Sequence, residues 1–252
     1  MKRALAAAIL GAAAASIPGA AAGRGIGLSA SPQRLTLQGA SRANVTVRNP
    51  GRRTLLVDAS RAGFARSLRG SPRVRQARGA AGWLRLRPRR VRLAPGGKAV
   101  VHVAARLPRR VEPGDHPALV LLTTRPVGAR HLRLRLRLGV IVDLHVRGRI
   151  VRRLEARTLK VRRDGARRRL LELLLRNRGN VTERLAGDGL RLALLHHGRT
   201  FAVLRPRRRE LLPHSVGIAE FVYRGSVRGK VLARVVLRPA VRGRLRSFRI
   251  NF

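Results

Sequence analysis

The chain has 252 residues and no cysteine. Its 57 lysines and arginines stand against 11 aspartates and glutamates, a formal net charge of +46. Lack of thiols excludes disulfides, thiolate metal sites and cysteine nucleophiles, and a single Trp and a single Tyr leave little for the base stacking that single-stranded nucleic-acid binding uses.

Lys2 and Arg3 precede an apolar run, Ala4 to Ile17, that is too short for a bilayer span, and Ala20-Ala21-Ala22 offers a small-x-small cleavage site before Gly23. Residues 1–22 read as a secretory signal, so the expected product is exported to periplasm, cell surface or medium. Beyond it come short strand-like runs. Gly27 to Leu37 contains Pro32, which suits an edge strand or a switch between sheets. Ala43 to Val47 alternates, and Thr54 to Ala59 follows an Asn-Pro-Gly turn. The polar stretch Arg61 to Gly82 reads as a long loop with a short strand or helix. Trp83 to Pro88 alternates again, with Trp83 as a core anchor. Val91 to Leu93 and Lys98 to Ala105 flank a Pro95-Gly96-Gly97 turn, and Pro113-Gly114-Asp115 makes another, with Asp115 suited to local backbone bonding. Ala118 to Thr124 is a mostly apolar strand.

The most regular run follows. Leu132, Leu134, Leu136, Leu138, Val140, Val142, Leu144 and Val146 take every even position, with Arg133, Arg135 and Arg137 between the first of them. This period of two gives one apolar and one basic face. At roughly 50 Å the run is longer than one typical strand, and we read it as the last strand of a first domain, a passage near Gly139, and the connection into a second. There, Arg169 to Leu175 is a strand. Leu190 to Leu195 and Thr200 to Leu204 flank a His196-His197-Gly198 turn. Leu211 to Tyr223, Val231 to Leu237 and Ser247 to Phe252 close the chain.

The two halves share anchors in the same order. Val47-Arg48-Asn49-Pro50-Gly51-Arg52-Arg53-Thr54 returns as Leu175-Arg176-Asn177-Arg178-Gly179-Asn180-Val181-Thr182. Leu93-Ala94-Pro95 returns as Leu211-Leu212-Pro213, and Leu122 to Pro126 as Val235 to Pro239. Asn followed two residues later by Gly marks a strand ending in a tight turn, since both tolerate positive φ. Short strands with turns between them and no helical periodicity predict an all-β chain of two tandem sandwiches, 23–142 and 143–252.

The stretch Leu28 to Ala59, with Arg34 on the first strand and Asn-Pro closing the second, resembles the opening of the periplasmic chaperones of pilus assembly. Trp83 to Pro88, Val91 to Gly96 and the strand after them resemble the next part. The same grammar occurs in other bacterial surface proteins, including the WxL-interacting type. The resemblance implies two immunoglobulin-like domains. It also implies a carboxylate-binding basic pair, with Arg34 as its first member and Arg133, Arg135 or Arg137 as its second, and a lent strand over Leu132, Leu134, Leu136 and Leu138. Glu112-Pro113-Gly114-Asp115-His116 departs from the acidic and basic run of those chaperones.

Each candidate has a plain alternative. Arg34, Arg133, Arg135 and Arg137 either capture an anion beside an exposed β edge or face solvent. The leucine row is either a donated strand or core. Glu112, Asp115 and His116 sit in a turn, and His196 and His197, adjacent on a strand, point to opposite faces, so neither group makes a catalytic or metal site. No cofactor is expected. The arginine excess is either an anion-binding surface or the codon bias of a GC-rich genome. Three functions follow. One is a non-catalytic envelope protein binding another envelope protein or an anionic wall polymer. The others are a strand-donating chaperone for pilus or surface subunits and an arginine-driven polyanion-binding module. Nucleic acid is the least favoured partner.

Overall fold

A computed structural model describes residues 26–129, 132–165, 167–185, 189–237 and 246–252. The signal read at 1–22 lies outside them. The chain folds as two β-sandwiches. The first is built from β1 (Ser29–Ser31), β2 (Arg34–Gln38), β3 (Arg42–Arg48), β4 (Leu55–Arg66), β5 (Pro72–Arg75), a one-turn α1 (Ala80–Trp83), β6 (Leu84–Arg87), β7 (Arg90–Leu93), β8 (Lys98–Ala105), β9 (Gly114–Thr124), β10 (Val127–Ala129), β11 (Leu132–Leu134) and β12 (Arg137–Val146). One sheet has the order β1-β3-β8-β6, and the facing sheet β2-β12-β9-β4-β5 with β7 also on β4. Four strands facing a sheet of this order is the immunoglobulin-like arrangement. Pro32 stands where the chain leaves the first sheet for the second. There β2 runs parallel to β12 and the other pairs are antiparallel.

The second sandwich holds β13 (Leu154–Arg163), β14 (Arg168–Asn177), β15 (Glu183–Arg184), β16 (Leu190–His196), β17 (Arg199–Leu204), β18 (Glu210–Leu211), β19 (Val216–Arg224), β20 (Lys230–Leu237) and β21 (Ser247–Asn251). The sheet β13-β14-β19 faces β17-β16-β20-β21, while β15 and β18 pair with each other. Alternation sets each core. Val45 and Val47 meet Val101 and Val103 in the first, and Leu171, Leu173 and Leu175 meet Leu190, Leu192 and Leu194 in the second. Tyr223 stacks on Phe252 at 5.0 Å, closing one end of the second core. Trp83 packs against the first core, edge-on to His116. His197 and Gly198, both with positive φ, make the turn expected between β16 and β17.

Four expectations need correction. First, the junction lies beyond Val142: β12 continues to Val146 and buries Leu144 in the first core, while β13 opens at Leu154, so residues 147–153 join the domains. Second, the stretch Arg61 to Gly82 does hold a short strand, β5, and the one-turn α1, but it begins as the second half of β4. Its arginines hid the strand, yet Arg61 donates to the Gly82 and Leu84 carbonyls at 3.1 and 2.8 Å, and Ala62 and Phe64 are buried on the opposite face. Third, a turn at Pro213–Ser215 separates β18 from β19. Fourth, neither Asn-x-Gly segment adopts positive φ.

The two asparagines are instead buried cross-links, and they repeat bond for bond. Asn49 Nδ2 donates to the carbonyls of Arg53, Leu93 and Ala94, and its Oδ1 accepts the Gly51 amide. Asn177 Nδ2 donates to Val181, Leu211 and Leu212, and its Oδ1 accepts the Gly179 amide. The two backbone amides donate to Gly97 and Ser215. The carbonyl partners are the second pair of anchors read from the sequence. Gly179 is needed for another reason: a Cβ there would strike the Val151 carbonyl of the interdomain segment.

Candidate functional site at the domain junction and the strand edge beside it

The acidic residues look scattered in sequence, but several converge on the junction. Arg34, at the start of β2, lies beside Ile141 of β12. Its Nε donates to Asp143 at 2.5 Å, and its two terminal nitrogens grip both oxygens of Glu210 in the second sandwich at 2.7 and 2.8 Å. Arg66 completes the clamp on Glu210 at 2.8 Å. The tip of the β4–β5 hairpin reaches the second sandwich as well. Ile218 donates its amide to the Leu68 carbonyl, and Arg69 pairs with Glu172 and Glu220 at 2.9 and 3.1 Å. Under these ion pairs, Phe64, Leu119 and Leu121 pack with Leu212, so β9 is apolar on both faces because the second domain covers the outer one.

Asp115 is not bonded locally as the turn reading expected. Its carboxylate joins His145 at 2.8 Å on one oxygen and accepts the Thr182 amide at 2.7 Å on the other. Its own amide donates to the Asn180 carbonyl, and the Asn180 side chain holds the joining segment at Arg149 and Val151. Arg152 from that segment pairs with the buried Glu183. These groups border an open cleft of about 460 Å3 between the sandwiches, with Arg34, Thr36, Gln38 and Asp143 on one wall and Arg184 and Glu210 on the other.

The hydrogen bonds from Arg34 hold Glu210 below the ordinary carboxylate range despite its partial burial, and Glu210 in turn raises Arg34. Asp143 moves the other way: burial pushes it up, and the pull of Arg34 does not make up the difference. A depressed Glu210 stabilises the fold above its ordinary value of about 4.5, and that contribution is lost as pH falls through the lower folded value. The raised Asp143 has the opposite sign and relieves a penalty as it takes its proton. Glu210→Gln is therefore expected to cost about 1–2 kcal/mol at pH 7, discounted for the exposure of Arg34. The gap to wild type should close as pH drops below 4.5. Thermal melts from pH 7 to pH 3 check this, and a gap independent of pH counts against the ion pair.

The other residues picked out in sequence lie along the β12 edge. Leu132 and Leu134 belong to β11, paired with β10 in a hairpin, so the even-numbered row is not one strand. It is interrupted at Arg135 and Leu136, where Thr124 exchanges two hydrogen bonds with the Leu136 backbone, and not near Gly139, which lies within β12 opposite Leu121. Leu134 is 43% exposed. Leu136 and Leu138 are half-buried, Leu138 against the first core, and the row becomes core only at Val140. Arg133, Arg135 and Arg137 are exposed. Arg137 lies four residues along β12 from the partner of Arg34, about 13 Å at strand rise, so Arg34 and these three are not one cluster. The strand β2 covers β12 only from Ile141 to His145. Along Arg137 to Val140, β12 pairs with β9 alone among the described residues, leaving its outer edge open.

The junction ion pairs are what sequence reasoning missed. In a chain of charge +46 with 11 acids, each acid carries more meaning than usual, and that scarcity was the available signal. Among the described residues, no group of three or more His, Asp or Glu is placed to hold a metal ion, and no helix is long and apolar enough to cross a membrane.

No family model matches the sequence, and no curated protein matches it. Solved structures do. The chaperone–tip adhesion subunit complex CsuC–CsuE from Acinetobacter baumannii gives a TM-score of 0.47 at 13% identity, over 89% of this chain and 98% of that one. The periplasmic chaperone SfaE gives 0.43 at 10% identity, over 89% and 98%. A complex of the SafA pilin with the SafB chaperone from Salmonella enterica gives 0.43 at 14% identity, over 90% and 96%. Each of these three solved structures contains a chaperone, and at this level of identity each is a similarity to this chain and no more.

Proposed function

We propose that the protein is an exported, non-catalytic chaperone of envelope subunits that adds a strand to its client along the open edge of β12. The observation that carries this reading is the half-covered strand. From Arg137 to Val140 one edge of β12 has no partner among the described residues, and it carries Leu138, with Leu136 just before the strand and Leu134 at the end of the neighbouring β11, where the core gives out. Such an edge offers backbone hydrogen bonds to an extended segment and apolar side chains to its alternate pockets. Arg133, Arg135 and Arg137 on the other face protect it from self-association. Several of the solved structures are chaperones caught with a pilin or adhesin subunit; the reading for this chain rests on its own edge.

The test uses an unfolded pilin-type subunit as client. The wild-type chain is expected to keep the unfolded subunit soluble and to gain amide protection over 137–140 on binding. Leu134→Ser with Leu136→Ser should keep the circular dichroism and melting of the parent, because these side chains lie outside the core, while capture of the subunit drops about tenfold or more, the scale of losing two apolar anchors. Undiminished capture by the folded double variant, with no gain of amide protection over 137–140 in the parent, rules the edge out.

A further inference from the structure

The arginines of this chain are unevenly partnered. Those at the junction hold carboxylates, as described above. The outer face of the sheet β1-β3-β8-β6 does not: none of the 11 acidic residues falls in any of its four strands. The register lines up two rows across β3, β8 and β6. In one, Arg42 is opposite Ala104, and Ala104 is opposite Arg85. In the next, Asn44 is opposite His102, and His102 is opposite Arg87. Arg106 follows at the end of β8. Ala104 has only a methyl group between two long cationic neighbours, so the face is hollowed into a concavity of about 600 Å3. Its surroundings are partly fixed. His102 Nδ1 lies 2.8 Å from Asn44 Oδ1, and Arg85 Nη1 donates to the Gly82 and Leu84 carbonyls at 2.9 and 3.2 Å. Among the described residues, none of Arg42, Arg85, Arg87 and Arg106 has a carboxylate partner.

We propose that this concavity binds a phosphate-bearing ligand, a role independent of the strand edge on the opposite sheet. Four guanidinium groups gathered without a counter-charge repel one another, and a bound anion relieves that repulsion. The geometry selects the anion. A carboxylate has two oxygens, and Glu210 spends both on the Arg34 fork, leaving room for only a single N–H from Arg66 and not for a second fork. Arg42 and Arg85 stem from strands on either side of β8, about 10 Å apart. A group that engages forks from both sides needs more than two acceptor oxygens around one centre, which phosphate supplies.

The probes are pyrophosphate, followed by calorimetric titration, and vesicles of phosphatidylglycerol, with phosphatidylcholine vesicles for comparison. The full chain is tested beside two triple variants of equal charge. Arg42→Gln, Arg85→Gln and Arg87→Gln empty the concavity, and Arg73→Gln, Arg75→Gln and Arg92→Gln remove exposed arginines from β5 and β7. Saturable wild-type binding that falls about tenfold or more in the first triple and about threefold or less in the second is expected. Replacing the same three by Lys keeps the charge and should still weaken binding, because the forks are gone. Pyrophosphate binding identifies a soluble phosphate source. Binding to phosphatidylglycerol vesicles alone identifies a lipid headgroup. Equal losses in the two Gln triples, competition by polyglutamate as strong as that by pyrophosphate, or no saturable binding to either probe would overturn the proposal.

Discussion

Asn177→Ala is expected to destabilise the second sandwich by about 3–5 kcal/mol, and Asn49→Ala the first by a similar amount. Both asparagines are fully buried. The two hydrogens of Asn177 Nδ2 are shared among three carbonyls at 2.8, 3.2 and 3.0 Å, and its Oδ1 takes the Gly179 amide at 2.8 Å. Truncation removes the shared partner and leaves four backbone groups in a site too tight to hydrate fully. Each orphaned group costs about 1–3 kcal/mol, and partial relaxation keeps the total below the sum. The bonds tie the end of β14 to the turn between β18 and β19, so the damage should fall on the second domain and leave the first core intact. Calorimetry on the two single variants should show opposite domains losing stability. A loss below about 1 kcal/mol in both would mean the asparagines are incidental to the fold.

These two residues also show what a sequence of this kind can and cannot tell. Their repetition with their partner loops was legible as spacing, and it revealed two related sandwiches. Their full role was not: both segments do turn at a strand end, each Gly amide on the Asn side chain two residues back, but nothing local shows that the same side chains are buried and tie down a second loop. Strands with strict alternation, such as those carrying Val45 and Val47 or Leu190 to Leu194, were readable from period two alone. The second half of β4 was not, because its outer face is covered by another domain and its inner face ends on Arg61, so neither face looks apolar in the expected phase. The junction contacts were invisible for a simpler reason. Arg34 and Glu210, or Asp115 and Thr182, are separated by 176 and 67 residues, and nothing local marks either partner. Leu134, Leu136 and Leu138 share the period of the core residues after them, and only the structure shows where the core stops.

Gly114→Ala should uncouple the two sandwiches while leaving each of them folded. Gly114 has φ of 116°, a conformation an L side chain rarely adopts, and a Cβ there would strike the carbonyl of Asn180. That carbonyl is the acceptor for the Asp115 amide, and the Asp115 carboxylate holds Thr182 and His145. The substitution therefore adds backbone strain of about 1–3 kcal/mol at the point where the second domain is docked, and the neighbouring atoms are main chain and cannot rotate aside. The cheapest relief is to move the second domain away, giving up the Asp115 bonds first and then the ion pairs at Arg34, Arg66 and Arg69 that depend on the same approach. Neither core contains Gly114, so the sandwiches themselves should persist. Small-angle scattering should report a larger radius of gyration, cleavage within residues 147–153 should accelerate, and calorimetry should resolve two transitions where the parent shows stronger coupling. Unchanged scattering together with a single unshifted transition would show that the Gly114 contact does not set the domain arrangement.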